Sequence, residues 1–186
     1  NEPDDAQGRH FRRPGHGMIA VEGLTKHYPL ASGLRALFDT RRDRVLRAVD
    51  GISFTLASGE VLGLVGESGC GKSTTGRLLV GLEEPGGGRV SFGGTDARAL
   101  RLADRRAFHR RVQMIFQDPY GSLNPQHTIG EIVARPLLYQ GMKRGAGMRA
   151  RVVASLEQAG LSPVEQYLEK FPHQISGGQR QRVCIA

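Results

Sequence analysis

An apolar run that leads directly into a glycine-rich loop constrains the fold of this chain more than any other feature. The run is Val61–Val65, and the residues from Gly66 to Ser73 fit the pattern G-x-x-x-x-G-K-S/T. The apolar run predicts a strand buried on both faces, and the residues after the loop predict a helix over 74–80. A strand, this loop and a helix in that order predict an α/β fold with a P-loop core.

The loop has the residue types that binding a phosphate requires. Its glycines let successive backbone N–H groups point at one anion, and the following helix adds its positive end. Lys72 can reach the β- and γ-phosphates of a nucleotide, and the hydroxyl of Ser73 is placed to ligate Mg²⁺. A chance match is the alternative, since 26 of the 186 residues are glycine, but the predicted strand and helix supply the context that the motif needs. The predicted nucleotide-binding residues of the loop are Gly66, Glu67, Ser68, Gly69, Cys70, Gly71, Lys72, Ser73 and Thr74.

Composition argues against several classes of protein. No apolar run approaches the ~20 residues of a membrane-spanning helix, and the polar N-terminal residues do not resemble a signal peptide. The two cysteines, Cys70 and Cys184, form neither a disulfide framework nor a metal-binding spacing. The net charge of +8 is compatible with nucleic-acid binding. Because the basic residues are spread over separate patches with few aromatic residues among them, we predict no nucleic-acid partner.

Changes of pattern along the chain predict four segments. Residues 1–17 indicate a disordered lead or linker, and residues 18–117 indicate the P-loop core with an antiparallel β subdomain. Residues 118–176 indicate a helical subdomain, and residues 177–186 the start of a further helix. The chain begins without Met and stops within an apolar segment, so we expect it to be a fragment of a longer protein.

Hydrophobic periodicity and capping signals predict the individual elements. The predicted strands are Ile19–Glu22, a longer stretch within 45–56, an edge strand at Arg89–Phe92 and a second fully buried strand at Val112–Phe116. The predicted helices are a basic one over 100–111, one opened by the capping box Thr128–Glu131 and kinked at Pro136, one over 148–156, and one opened by the capping box Ser162–Glu165.

A P-loop alone is shared by kinases, GTPases, helicases and transporter motors, so a second motif has to decide among them. Residues 176–179 read Ser-Gly-Gly-Gln and follow the predicted helical block. Ser176 places a hydroxyl and the two glycines place unhindered N–H groups at the start of a helix, which is another anion-binding geometry.

In combination these motifs resemble the ABC-type ATP-binding subunits, whose signature is L-S-G-G-Q; Ile175 stands here in place of the leucine. The resemblance extends from about residue 18 to the end of the chain. It implies ATP and Mg²⁺ as cofactors, and a sandwich in which the P-loop of one subunit and the signature of another enclose ATP. The residues that would then face the γ-phosphate held by the partner's Lys72 are Ser176, Gly177, Gly178 and Gln179.

The resemblance assigns roles to two further residues. Gln117 falls where the family has its Q-loop glutamine, which contacts Mg²⁺ and couples the site to the membrane subunit; the alternative is a solvent-facing residue at a strand end. Tyr28 falls where the family stacks an aromatic ring on adenine; the alternative is a partly exposed surface tyrosine. The predicted catalytic residues are therefore Lys72 and Gln117, and the predicted Mg²⁺ ligands are Ser73 and Gln117.

The segment Ile115–Pro125 and the residues before Arg47–Phe54 are similar to oligopeptide and dipeptide importers. This resemblance implies a motor subunit that couples ATP binding and hydrolysis to the import of peptides or related solutes. It implies a peripheral position at the cytoplasmic face of the plasma (inner) membrane. The implied partners are a second ATP-binding subunit, transmembrane permease subunits and, indirectly, an extracytoplasmic solute-binding protein.

The resemblance also implies groups that this stretch of chain does not contain. The family's second acidic strand, with the Mg²⁺ aspartate and the glutamate that polarises the attacking water, is expected beyond Ala186, as is the switch histidine. We therefore expect an ATPase in the intact subunit, and poor ATP binding with hardly any hydrolysis by the 186-residue chain alone. Two alternatives stay open: an ABC-type ATPase that acts on nucleic acid or ribosomes, and a non-catalytic nucleotide-binding fragment.

Overall fold

The fold is described from a computed structural model, of which residues 19–29 and 45–186 are described. The predicted lead at 1–17 and the arginine-rich excursion at 30–44 lie outside the described residues. The chain divides into two compact units, Asn1–Met114 and Ile115–Ala186. The predicted domain boundaries, one of which lies between residues 117 and 118, stay predictions.

An antiparallel sheet forms the centre of the first unit. Its strands are β1 (Ile19–Pro29), β2 (Val45–Leu56), β3 (Gly87–Phe92) and β4 (Thr95–Asp96). Their order is β2-β1-β3-β4. The long pairing runs from Ile19 opposite Leu56 to Pro29 opposite Val45. This sheet and the helices below agree with the predicted α/β class, but β3 is an inner strand, not the predicted edge strand, because the short β4 pairs with its end.

One face of the sheet packs against the first helix, α1 (Lys72–Leu79). The buried apolar residues shared by the sheet and this helix are Val21, Leu24, Val49, Leu78 and Val90. Burial of aliphatic side chains of this size contributes about 1.5–3 kcal/mol each, so this cluster holds α1 on the sheet. The position of the P-loop depends on this packing, because the loop ends where α1 begins.

The two strands predicted to be buried on both faces are not strands in the structure. Residues 61–65 are irregular, and Val61 and Val65 are 93% and 95% exposed. Residues 112–116 are also irregular, with Ile115 57% exposed. A buried parallel strand needs backbone partners on both sides, and no strand among the described residues pairs with either segment. Both predictions were wrong because apolar sequence alone does not supply those partners.

The predicted basic helix over 100–111 is two helices, α2 (Ala97–Ala103) and α3 (Arg105–Arg111). Asp104 separates them with an extended backbone, φ −150° and ψ 96°. Its carboxylate accepts a hydrogen bond from the N–H of Ala107 at 2.9 Å and so caps α3. Aspartate competes for backbone donors in this way, which explains why the helix is interrupted there.

The second unit is helical. Its helices are α4 (Pro119–Ser122), α5 (Ile129–Tyr139), α6 (Ala146–Gln158), α7 (Glu165–Leu168) and α8 (Gly177–Ile185), and a 3-10 turn covers Pro172–Gln174. The buried residues of its core include Ile129, Val133, Met148, Val152, Leu156, Val164, Leu168 and Val183. Their spacing of three or four places one apolar stripe of each long helix in a common core, as periodicity predicted.

The two predicted capping boxes in this unit have different outcomes. The Thr128 hydroxyl accepts from the N–H of Glu131 at 3.3 Å, and the Glu131 carboxylate accepts from the N–H of Thr128 at 3.0 Å, so the first box is confirmed. The second is wrong: α7 begins at Glu165 with Val164 as its N-cap and without a side-chain cap. The carbonyls of Pro163 and Val164 accept the first hydrogen bonds of this turn, from the N–H groups of Gln166 and Tyr167, so Ser162 lies outside the helix. Within 19–29 and 45–186, no helix has the length and apolarity to cross a membrane.

Candidate functional site

The P-loop owes its shape partly to strand β2. Gly71 is the N-cap of α1 and has a left-handed backbone, with φ 90°. A Cβ atom placed on Gly71 would collide with the carbonyl oxygen of Ala48 in β2. Only glycine meets both conditions without strain. The loop is therefore held against the sheet at the residue before Lys72.

Lys72 folds back over the loop that precedes it. Its Nζ donates to the carbonyl oxygens of Gly66 at 2.7 Å and Glu67 at 2.6 Å, and it lies 3.4 Å from the Sγ of Cys70. The ammonium group is thus in the middle of the loop, bonded to neutral carbonyls. The oxygens of a negatively charged phosphate form stronger hydrogen bonds with an ammonium group than neutral carbonyls do.

The first turn of α1 favours an anion. It contains no acidic residue, and no side chain in the described part of the chain caps its N-terminal N–H groups. Ser73 is exposed at this turn. Thr75 was not predicted as part of the site: its buried hydroxyl donates to the carbonyl of Gly71 at 3.0 Å and supports the end of the loop. Its position four residues after Gly71 in a predicted helix could have indicated this contact, because threonine hydroxyls often bond the carbonyl four residues back.

Tyr28 lies beside the same helix. Its hydroxyl donates to the carboxylate of Glu83, and the Thr74 hydroxyl on α1 also interacts with it. The hydrogen bond to Glu83, followed by burial and by the negative charge of Glu83, raises the pKa of Tyr28 above its ordinary value. The structure therefore brings Tyr28 to the P-loop helix and keeps its hydroxyl protonated.

The signature residues form the capped start of α8. The Ser176 hydroxyl accepts from the N–H of Gln179 at 3.3 Å, and the Gln179 side-chain oxygen accepts from the N–H of Ser176 at 2.9 Å. Gly177 and Gly178 have open space where a side chain would be. The buried Arg180 donates to the carbonyl of Pro172 at 3.0 Å and fixes this helix on the 3-10 turn. The predicted helix start at Ser176 is confirmed.

Gln117 is exposed and lies in an irregular stretch just before α4, not at the end of a strand. It belongs to the second unit with Ser176–Gln179, whereas the P-loop and Tyr28 belong to the first. Among the described residues, no group of three or more His, Cys, Asp or Glu side chains is arranged to hold a metal ion. The roles predicted for Gln117, and for Ser73 as a ligand of Mg²⁺, stay predictions.

Comparison with known proteins assigns these features to one family. The sequence model of the ABC transporter family matches residues 49–186. The glutathione import ATP-binding protein GsiA of Escherichia coli (strain K12) is 45% identical over 172 residues, which cover 92% of this chain and 27% of that protein. The putative oligopeptide transport ATP-binding protein YkfD of Bacillus subtilis (strain 168) is 47% identical over 156 residues, 83% of this chain and 47% of that protein. The chain thus spans between about a quarter and a half of these relatives' length.

Solved structures of similar shape agree. The dimeric structure of MJ0796, described as a bacterial ABC transporter cassette, has a TM-score of 0.71 and 29% identity, covering 90% of this chain and 67% of that one. The same cassette in a dimeric post-hydrolysis state with ADP and Pi has a TM-score of 0.70 and 28% identity, with the same coverage. The cbiO1 protein of Clostridium perfringens, part of the ABC transporter complex cbiONQ, has a TM-score of 0.65 and 26% identity, covering 92% of this chain and 60% of that one.

Proposed function

The chain belongs to the ABC transporter family, and we propose that it is the ATP-binding part of a motor subunit that drives import of peptides or related solutes. The observation that carries the proposal is the P-loop, in which the ammonium group of Lys72 binds the carbonyls of the loop directly before an uncapped helix start. The names of the relatives, a glutathione importer and an oligopeptide transporter, support peptides as the solute class.

In this proposal Lys72 exchanges partners when ATP binds. Its ammonium leaves the carbonyls of Gly66 and Glu67 and binds the β- and γ-phosphates, while the N–H groups at the start of α1 bind the same oxygens. Ser73, exposed on the first turn, and Gln117 are the proposed ligands of Mg²⁺. The ion would neutralise the charge that develops on the transferred phosphoryl group.

Tyr28 is the proposed contact of the adenine ring, since it lies beside α1 with its hydroxyl already bonded. Ser176–Gln179 would face the ATP bound by a second subunit, because the open N–H groups at the start of α8 suit a γ-phosphate. That the similar cassette MJ0796 is dimeric supports a second ATP-binding subunit as partner. Transmembrane permease subunits at the cytoplasmic face of the plasma (inner) membrane and, indirectly, an extracytoplasmic solute-binding protein complete the proposed assembly.

Uptake in the source cell tests the proposal directly. Deleting the gene should abolish ATP-dependent uptake of radiolabelled oligopeptides or glutathione, and the full-length wild-type gene should restore it. The Lys72→Ala variant should accumulate normally and fail to restore uptake. Unchanged uptake of every peptide in the deletion strain, or full rescue by the Lys72→Ala variant, would contradict the proposal.

A further inference from the structure

The ring of Tyr28 is fixed by more than its place in β1. Its hydroxyl donates to the Oε2 atom of Glu83. The ammonium of Lys26 lies 5.3 Å from the centre of the ring and also donates to the carbonyl of Glu84 at 2.7 Å. A cation at this distance is attracted to the face of the ring. The ring is therefore held at its hydroxyl end and on one face.

Glu83 is itself attached to the P-loop helix. Its other carboxylate oxygen, Oε1, lies 3.6 Å from the guanidinium of Arg77, which is in the last turn of α1. The backbone N–H of Glu83 donates to the carbonyl of Arg77 at 3.3 Å, and that of Leu82 donates to the same carbonyl at 2.9 Å. The Glu83 side chain is 23% exposed, so water reaches this bridge only partly.

The carboxylate uses one oxygen for each partner, and this limits which substitution removes both contacts. A glutamine would not break this bridge cleanly, because its oxygen can accept from Arg77 while its NH₂ group donates to the phenol oxygen of Tyr28. Leucine has a side chain of similar size that neither donates nor accepts hydrogen bonds. A leucine at position 83 would therefore remove both contacts.

We propose that Glu83 is a positioning residue for the nucleotide base: it holds Tyr28 against the helix that carries Lys72, so that the ring is in place before ATP arrives. The inference rests on the proposed function, since it takes Tyr28 as the adenine contact. A ring already immobilised loses less conformational freedom on binding. Releasing it should weaken ATP binding by about two- to tenfold, which is the usual effect of one side chain that must be ordered.

Inorganic tripolyphosphate separates this role from an effect on the P-loop, because it has phosphates and no base. Affinities of the full-length protein for ATP and for tripolyphosphate would be measured by calorimetry for wild type, Glu83→Leu, Tyr28→Phe and the double variant. The expected result is a two- to tenfold loss for ATP in each single variant, no larger loss in the double variant, and unchanged tripolyphosphate affinity. Glu84→Leu is the matched control: the Glu84 carboxylate contacts Arg101 and not Tyr28, so this variant should bind ATP as the wild type does.

A spectroscopic readout checks the contact itself. The ultraviolet titration of the phenol groups, with the Tyr28→Phe variant subtracted to isolate the Tyr28 signal, should show a lower Tyr28 pKa in Glu83→Leu than in wild type. Normal ATP affinity in Glu83→Leu, or equal losses for ATP and tripolyphosphate, would overturn the inference and leave the proposed function intact. A wild-type protein that binds neither ligand would overturn the proposed function as well.

Discussion

The contact between the P-loop and β2 makes Gly71→Ala the sharpest test of how the loop is held. Alanine at this position would adopt a left-handed backbone, which costs a residue with a Cβ about 1–2 kcal/mol. Its Cβ would also collide with the carbonyl oxygen of Ala48, and relief of such overpacking typically costs a further ~1–3 kcal/mol. Arg47 and Val49, on either side of Ala48, are both paired with β1 and restrict the movement of this carbonyl, so we expect the loop to move instead.

Gly69→Ala is the matched control, because Gly69 also has a positive φ, 83°, but has open space where a Cβ would be. The left-handed backbone should destabilise both variants, and the collision should destabilise only Gly71→Ala. We expect the free energy of unfolding, measured by urea denaturation, to fall by ~1–3 kcal/mol more in Gly71→Ala than in Gly69→Ala. ATP affinity should fall more as well. Equal losses in the two variants would refute the argument that β2 shapes the loop.

Three further predictions concern other groups. Bound ATP should protect the exposed Cys70 from alkylation by N-ethylmaleimide. Cys184 should react slowly with or without ATP, because burial and the charge of Asp118 raise its pKa. Peptide mapping that finds Cys70 equally modified with and without ATP would contradict the proposed nucleotide site. Ser176→Ala should destabilise the protein by about 1 kcal/mol through loss of the α8 cap, and Ser176→Thr, which keeps a hydroxyl, should lose clearly less in thermal denaturation. The N–H of Ala107 lowers the pKa of Asp104, so this group stabilises the fold above the ordinary value of 3.8 and loses that contribution as the pH falls through its lower folded-state pKa. Asp104→Asn should therefore make stability less dependent on pH below 3.8; an unchanged acid-denaturation curve would exclude that linkage.

Elements whose signals are local were predictable from the sequence. The caps at Thr128 and Ser176 depend on residues three positions apart, and the apolar stripes of α5 and α6 repeat within one helix. The P-loop was predictable for the same reason, because its glycines, lysine and hydroxyl lie within one short stretch. Local hydrogen bonds decide these features, so a single sequence contains the information for them.

Features that depend on distant partners were not predictable. The apolar run Val61–Val65 has the composition of a buried strand, but forming one depends on neighbours that the run does not specify. The bridge from Tyr28 to Glu83 joins residues 55 positions apart, and no local pattern indicates it. Asp104 is an intermediate case, since an aspartate is a recognised helix start, but it stood within an otherwise continuous basic helix pattern.

The caps of α5 and α8 share one geometry but differ in one chemical group. α5 uses the carboxylate of Glu131, whose pKa the N–H of Thr128 lowers, so it stays ionised and also complements the positive end of its helix. α8 makes the same pair of hydrogen bonds with the neutral amide of Gln179 and forgoes that attraction. A carboxylate there would stabilise the helix and repel any approaching phosphate. In the proposed role of α8 as a phosphate contact, the amide is a compromise: the helix start is less stable than it would be with a carboxylate, but it carries no negative charge that would repel an anion.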